Sequence, residues 1–559
     1  MSIIQLLTIS VFHDSFLLTN IRRLALFVRI TKSGTKRSPK EYVQIAISYR
    51  DKETGKSRQK ILCTLGRLDE LLKTGAFDRF LKSASRLSEE LHLIEGKEGA
   101  VRDALILGSI LAIEKAFRDL GLDRKLKKIA ETRRIRYDFV KAVKLMLLNR
   151  LIAPKSKLSI MEWLKELATR KEYEDLQLQH LYRSLDILAD EAGNIKKHLY
   201  EERRQLELFR PSVDVVFYDL TTIYFESELE DELKKFGYSK DNKSDCVQVV
   251  LGVVLDGEGM PITYDIYPGN TFEGSTVIEM VKKLRQEYEV EKVIFVADRG
   301  LASEKLLRAL EEMGCGYVVA ARVKKLSEAV VEKITHNRGW QQIDDNLKVK
   351  ELEVKGRRLV VYRDEELALY EKTKRQELLD WLKQQILSNP KRLIASRRYS
   401  GYLKVEGARI ELNLEAIKKQ ERLDGIFGFW CSRDSIPKEE AYKIYKQLWQ
   451  IEDAFRSMKS NLKIRPIYHW TPKRIRGHIL MCYMAFCLYK WMEKKLKQAG
   501  LNITASAAIE KLSRVRSVTI ETTKGPVKFR TEVKGETTEL FRALGVKIPS
   551  VVLSVGAED

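Results

Sequence analysis

Three acidic residues stand where their chemistry can be put to use: Asp219 in Val-Asp-Val-Val-Phe-Tyr-Asp-Leu-Thr-Thr, Asp298 in Lys-Val-Ile-Phe-Val-Ala-Asp-Arg-Gly, and Glu452 in Tyr-Lys-Gln-Leu-Trp-Gln-Ile-Glu-Asp-Ala-Phe-Arg-Ser-Met-Lys. Each aspartate closes a β-branched and aromatic run, which predicts a carboxylate at the C-terminal edge of a buried strand. Glu452 lies in a segment of helical period. Two strand-end aspartates and a helical glutamate are hard oxygen donors suited to divalent cations. In a basic chain that donor set points to phosphodiester chemistry with two metal ions, Mg²⁺ or, in its place, Mn²⁺. Taken singly, a strand-end Asp is as readily a turn or helix cap, and Glu452 as readily the i,i+4 partner of Arg456. Order, context and charge together favour the catalytic and metal-binding reading for all three.

The segment around Glu452 can be phased. Ile444, Leu448, Ile451, Phe455, Met458 and Leu462 follow at steps of 4, 3, 4, 3 and 4, an apolar stripe against a core. Tyr445, Glu452 and Lys459 recur every seven residues, with Arg456 one turn beyond Glu452, on a neighbouring polar stripe. A single helix with one face anchored and the other free for chemistry is predicted. Lys459 and Tyr445 are candidate phosphate or DNA-end contacts, a point charge and a donor or stacking ring, against the plainer reading of a surface pair lying along apolar ground.

The elements that must position these groups belong to a chain of 559 residues, enough for three or four domains. Lys and Arg number 101 against 79 Asp and Glu, a net charge of +22, and the pI near 9.4 favours a polyanionic partner, most simply nucleic acid. The six cysteines are dispersed without Cys-x2-Cys spacing and the seven histidines form no His-x3-His pair, so neither a disulfide framework nor a zinc site is expected. A reducing, cytoplasmic compartment fits. The first thirty residues, which include an N-terminal extension over 1–25, are apolar-rich but interrupted by His13, Asp14, Arg22 and Arg23, too broken for a signal peptide or membrane span. They read either as translation upstream of the true start or as a core helix or strand.

Residues 26–70 alternate as in a small β segment, a hairpin turning at Asp51-Lys52-Glu53-Thr54-Gly55. From 101 to 206 the pattern is helical, with cations at Arg124, Lys125, Lys127, Lys128, Arg133, Arg134, Arg136, Lys155 and Lys157. A helical DNA-binding region is predicted there, with a solvated charged face as its alternative. Then come Val213–Tyr218 as a strand, Cys246–Leu255 and Ile262–Tyr267 as a hairpin, Thr276–Tyr288 as a helix, Val293–Ala297 as a strand, Leu301–Met313 as a helix and Tyr317–Ala321 as a strand. That is the order of a ribonuclease-H-like mixed α/β sheet, spanning 211–322 and resuming at 436–495. The 154 residues from Asp298 to Glu452 exceed what loops need, so 323–435 is expected as a β-rich insertion. Residues 496–559 form a tail of unclear role.

The spacing Tyr445-x2-Leu448-x3-Glu452-x6-Lys459 resembles the Tyr-x2-Arg-x3-Glu-x6-Lys signature of bacterial and archaeal insertion-sequence DDE transposases of the IS-four superfamily, in its long-repeat branch. Tyr218-Asp219-Leu220-Thr221-Thr222, Pro268-Gly269-Asn270-Thr271-x-Glu273, Ala297-Asp298-Arg299-Gly300-Leu301 and Arg465-Pro466-Ile467-Tyr468-His469 follow the same order, over about half the chain. The resemblance implies a transposase that binds the terminal inverted repeats of its element, cuts the ends and joins them to target DNA. Its partner is then double-stranded DNA and its end-bound form a homodimer, in a nucleoid-associated setting. The family arginine is Leu448 here, so its phosphate contact is lost or moved to Arg456. Trp430 could stack on an unpaired base, as an aromatic of this region is implied to do in relatives that make hairpin ends; a core aromatic is the alternative. Asn270 and Glu273 read chiefly as turn-formers. Outside this family, the rival readings are a DNA-binding protein without catalysis and a stand-alone nuclease of the same fold.

Overall fold

In the computed structural model, residues 25–555 are described apart from 34–39, 51–56, 86–100, 207–214, 239–244, 291–292, 299–302, 389–392, 394–398, 400, 407–408, 433–435 and 523–524. The N-terminal extension, the Asp51–Gly55 turn and Arg299–Leu301 lie outside the described residues. The chain divides into two units, one of Met1–Arg102 with Thr519–Phe529 and Val552–Asp559, the other of Asp103–Val518 with Arg530–Val551.

In the first unit, β1 (Ala25–Ser33), β2 (Lys40–Arg50) and β3 (Ser57–Arg67) form an antiparallel sheet of three strands, one more than the predicted hairpin. Val28 pairs with Ile45, and Ile45 with Cys63. The helices α1 (Leu68–Lys73) and α2 (Ala76–Ser85) follow.

After β4 (Val101–Ile106), the second unit opens with six helices: α3 (Gly108–Asp119), α4 (Leu122–Thr132), α5 (Phe139–Ile152), α6 (Lys157–Trp163), α7 (Leu178–Asp190) and α8 (Ala192–Gln205). Part of the expected charged face is paired or buried within the fold. Arg124 pairs with Glu202, Arg133 with Asp190 and Glu191, and Lys155 with Glu166. Lys157 is only 4 % exposed, which removes it from the candidate phosphate contacts. Lys127, Lys128, Arg134 and Arg136 stay exposed around the end of α4.

Burial and the neighbouring Arg150 cation push the Lys157 amine down to about 7. Between that value and its ordinary pKa the unfolded chain holds a proton that the folded chain lacks, so stability rises with pH across this window. Lys157→Met should therefore stabilise the protein by about 1–4 kcal/mol at pH 7. The gain should shrink toward pH 10, as thermal melts at several pH values would show.

The central element is a nine-stranded mixed sheet. Its strands are β5 (Val215–Tyr224), β6 (Gln248–Asp256), β7 (Pro261–Pro268), β8 (Ile294–Ala297), β9 (Gly316–Ala320), β10 (Gln341–Gln342), β11 (Leu347–Val354), β12 (Arg357–Asp364) and β15 (Ile426–Cys431), in the order β10-β11-β12-β15-β9-β8-β5-β6-β7. β5, β6 and β7 are antiparallel; β8 is parallel to β5, and β9 to β8. This is the predicted succession, with α9 (Glu273–Tyr288) and α10 (Glu304–Glu312) as its helices. The stretch 323–435 extends this same sheet and is as much helical as extended. It holds α11 (Glu328–Thr335), α12 (Glu365–Ser388), the β13 (Leu403–Glu406)–β14 (Arg409–Leu412) hairpin and α13 (Leu414–Glu421).

The predicted single helix is interrupted. α14 (Lys438–Lys446) ends where Leu448 N turns back to Tyr445 O; α15 (Trp449–Arg456) follows, and Ser457–Asn461 is a π-helical turn. The apolar stripe nevertheless faces the core. Leu448 is 8 % exposed, and Ile451, Phe455, Met458 and Leu462 are buried.

α16 (Pro472–Gln498) is buried around most of its circumference, as expected of a helix apolar on all sides. It packs against α7 so closely that a Cβ on Gly477 would lie 1.9 Å from Leu185 O. The tail is part of this core: Leu512, Leu540 and Phe541 are fully buried in it, and Val515 O accepts from Leu107 N and Gly108 N. Among the described residues no helix is long and apolar enough to cross a membrane.

Candidate active site

β5 and β8 run parallel with Val215 opposite Ile294, Val216 opposite Phe295 and Phe217 opposite Val296. The offset is 79 residues, and 298 − 219 is the same 79, so this register carried two residues on sets Asp219, within β5, level with Asp298, the residue just past the end of β8. Strands so paired lie about 4.8 Å apart, and residues at one level share a face. Core packing identifies that face. Phe217 and Val296, two residues earlier, pack in the cluster that also holds Ile451, Phe455 and Met458, whereas Tyr218 and Ala297 belong to the cluster on the opposite face.

Asp219 is not at a strand end, as predicted, but inside β5. The β-branched and aromatic run continues through Thr221, Thr222, Ile223 and Tyr224 and keeps pairing with β6. What ends at this level is the neighbour, since β8 stops at Ala297 and leaves Asp298 exposed just beyond it. Asp219 is half-buried, and its Oδ1 accepts from Leu220 N at 2.7 Å.

Tyr445, on α14, closes over this edge. Its Oη donates to Asp298 Oδ1 at 3.4 Å, and its ring centroid lies 4.4 Å from that of Phe429. Phe429 pairs with Ala320, and Ala297 with Val319, so the register carried one residue past β8 sets Asp298 in line with Ala320 and Phe429. Phe429 escaped sequence analysis because only strand register shows that it supports Tyr445. Its neighbour Trp430 points the other way. It pairs with Val319 and packs against the two clusters of the opposite face, which takes it out of reach of the aspartates.

Glu452 is exposed on α15, which packs over β5 and β6 through Ile451, Ala454 and Phe455. Gln450, two residues earlier, donates to Gly257 O at 3.4 Å in the β6–β7 turn. Among the described residues no three His, Cys, Asp or Glu side chains converge to hold a metal ion. The structure thus brings Asp219, Asp298 and Tyr445 together without closing Glu452 onto them. Arg456 is 73 % exposed and pairs with Asp453 at 2.5 Å rather than with Glu452. Lys459 sits half-buried in the π-helical turn, where the wider winding shifts it from the seven-residue stripe. Asn270 lines a cleft of about 290 Å³ with Thr221, Thr222, Tyr238 and Phe272, and Glu273 opens α9.

Residues 211–488 match the family described as "Transposase DDE domain", and residues 28–98 match "IS1634 family transposase, N-terminal domain". No match is found among curated proteins. One similar solved structure is a "Mos1 transposase paired-end complex with left transposon end", at 16% sequence identity over 33% of this chain and 58% of that chain, with a TM-score of 0.15. The chain thus spans less than two thirds of that protein. Asp219, Asp298, Tyr445 and Glu452 all fall inside the first match, within the stretch of the chain that is similar to a transposase DDE domain and that follows a stretch similar to the N-terminal domain of IS1634 family transposases.

Proposed function

We propose that the protein is a transposase of the IS-four superfamily, in its long-repeat branch, on a ribonuclease-H-like core. It binds the terminal inverted repeats of an insertion sequence as a homodimer, cleaves the ends and joins them to target DNA. The observation that carries this reading is the placement of Asp219 and Asp298 at one level of adjacent parallel strands, with Tyr445 hydrogen-bonded to the second.

The donor set suits a hard divalent cation: two carboxylates side by side, one exposed and one half-buried. Asp219 and Asp298 would hold Mg²⁺ with Glu452 as third carboxylate, brought in when DNA and metal are bound. Two such ions activate an oxygen nucleophile and stabilise the leaving alkoxide. The chain's own part is orientation and charge. Tyr445 fixes the Asp298 carboxylate, the α15 core face fixes the height of Glu452, and Arg456 and Lys459 supply cations beside it for phosphate. The exposed Lys127, Lys128, Arg134 and Arg136 supply phosphate contacts farther along the duplex.

The deciding experiment incubates the protein with duplex element ends, Mg²⁺ and a supercoiled target plasmid. Ends joined to the plasmid are expected. Cleavage without joining would make it a stand-alone nuclease, and binding without cleavage a non-catalytic DNA-binding protein.

A further inference from the structure

The segment that follows Lys459 is held residue by residue from the rest of the second unit. Asn461 Nδ2 donates to the Tyr489 hydroxyl at 3.2 Å, and Ile464 O lies 3.2 Å from His478 Nε2. The Arg465 guanidinium sits over the Tyr224 ring, 5.3 Å from its centroid. Between them, Arg150 Nη1 donates to both Leu462 O and Lys463 O, each at 3.0 Å.

Arg150 comes from α5, 312 residues earlier, and is 5 % exposed. No carboxylate pairs with it among the described ion pairs. A guanidinium keeps its charge in a protein, so here that charge is met by backbone carbonyls at the C-terminal end of a helical segment, the negative end of its dipole. Those carbonyls need a partner. In the π-helical turn Leu462 N returns to Ser457 O, Ile464 N returns to Met458 O, and Lys463 takes φ +43°, which L residues seldom adopt. A π turn is rare, is found mostly as a single turn within an α-helix, and is frequent at functional sites.

We infer that Arg150 is a positioning residue for the proposed cleavage reaction. By clamping Leu462 and Lys463 it sets the axial register of the helix that carries Glu452, Arg456 and Lys459. Glu452 lies ten residues before Leu462, about 15 Å along a helix, so Arg150 acts through the helix and touches no reacting atom. The other end is tied by Gln450 to the Gly257 turn. Because Glu452 is not gathered with the two aspartates in the chain alone, the register of this helix decides whether a third carboxylate can reach them. The inference rests on the proposed role of Glu452.

The test uses the full chain with Arg150→Met, which removes both bonds, and Arg150→Lys, which keeps a cation able to make part of them. Amide hydrogen exchange over 457–464 should quicken at least tenfold in Arg150→Met while β5 and β8 keep their protection. Cleavage at saturating end DNA should fall about a hundredfold and the Mg²⁺ midpoint rise, with end affinity within twofold of wild type. Arg150→Lys should recover between about a tenth and a half of the wild-type rate, with the Mg²⁺ midpoint still raised. If Arg150→Met does not fold, the Lys variant decides: an unchanged Mg²⁺ midpoint and rate overturn the inference. Unchanged exchange refutes the clamp. Quickened exchange with normal cleavage, or parallel loss of binding and cleavage, refutes positioning. Absence of cleavage by the wild-type chain, or normal cleavage by Glu452→Gln, refutes the proposed function instead and leaves the exchange result to judge the clamp.

Discussion

Asp219→Asn, Asp298→Asn and Glu452→Gln should each lower DNA-end cleavage about a thousandfold or more, the upper range for losing one electrostatic stabiliser of a transition state. Affinity for the element ends should stay within about twofold. The substitutions preserve shape, and Asn at 219 can still accept from Leu220 N, so thermal stability should hardly move. Asp298 is exposed just past β8, and its described hydrogen bond comes from the Tyr445 hydroxyl, which an amide oxygen can also accept. The measurement is end cleavage in Mg²⁺ alongside a binding isotherm and a melting curve for each variant. Full cleavage by Asp298→Asn would remove it from the metal site. A melting point lowered by many degrees would show that the carboxylates serve the fold instead.

The second large effect is expected at Leu448, where the family signature has arginine. The side chain is 8 % exposed and packs in the same core as Ile451 and Phe455. Leu448→Arg should destabilise the chain by about 3–5 kcal/mol, the scale of an uncompensated buried charge. Arg456→Ala should behave in the opposite way. Its exposed pair with Asp453 is worth less than about 1 kcal/mol to the fold, whereas its loss should weaken DNA-end engagement by about 1.5–3 kcal/mol if it contacts phosphate. Denaturant melts and end-binding titrations of the two variants separate the roles. A stable and more active Leu448→Arg would show that this position faces DNA.

Several features of the second unit were legible from residue order because their cause is local. The strands from β5 to β9 and helices α9 and α10 follow β-branched runs and helical periods bounded by Gly, Pro and Asp, so their existence needed no knowledge of partners. The apolar steps from Leu448 to Leu462 likewise marked a buried stripe that survives even a break and a π turn. The strands of 323–435 were legible too, at Leu347–Val354, Arg358–Tyr362 and Ile426–Trp430, but not their joining the central sheet, because pairing is a choice of neighbour.

The amino-acid sequence by itself singled out the residues proposed to carry the chemistry: two aspartates after strand-forming runs, a helical glutamate with cations at helical spacing, and a basic chain around them. Only the tertiary structure decided how they are disposed. Whether Asp219 ends a strand depends on β6 pairing beyond it, and whether it faces Asp298 depends on a 79-residue register. Trp430 and Phe429 are adjacent and both aromatic, yet alternation across β15 sends one to the far face and the other beneath Tyr445. Lys157 reads as one of the cations of a DNA-binding region until packing buries it, and the carbonyls that receive the buried Arg150 lie 312 residues away. Side-chain destinations of this kind follow from long-range pairing and burial, which local propensity and period do not encode.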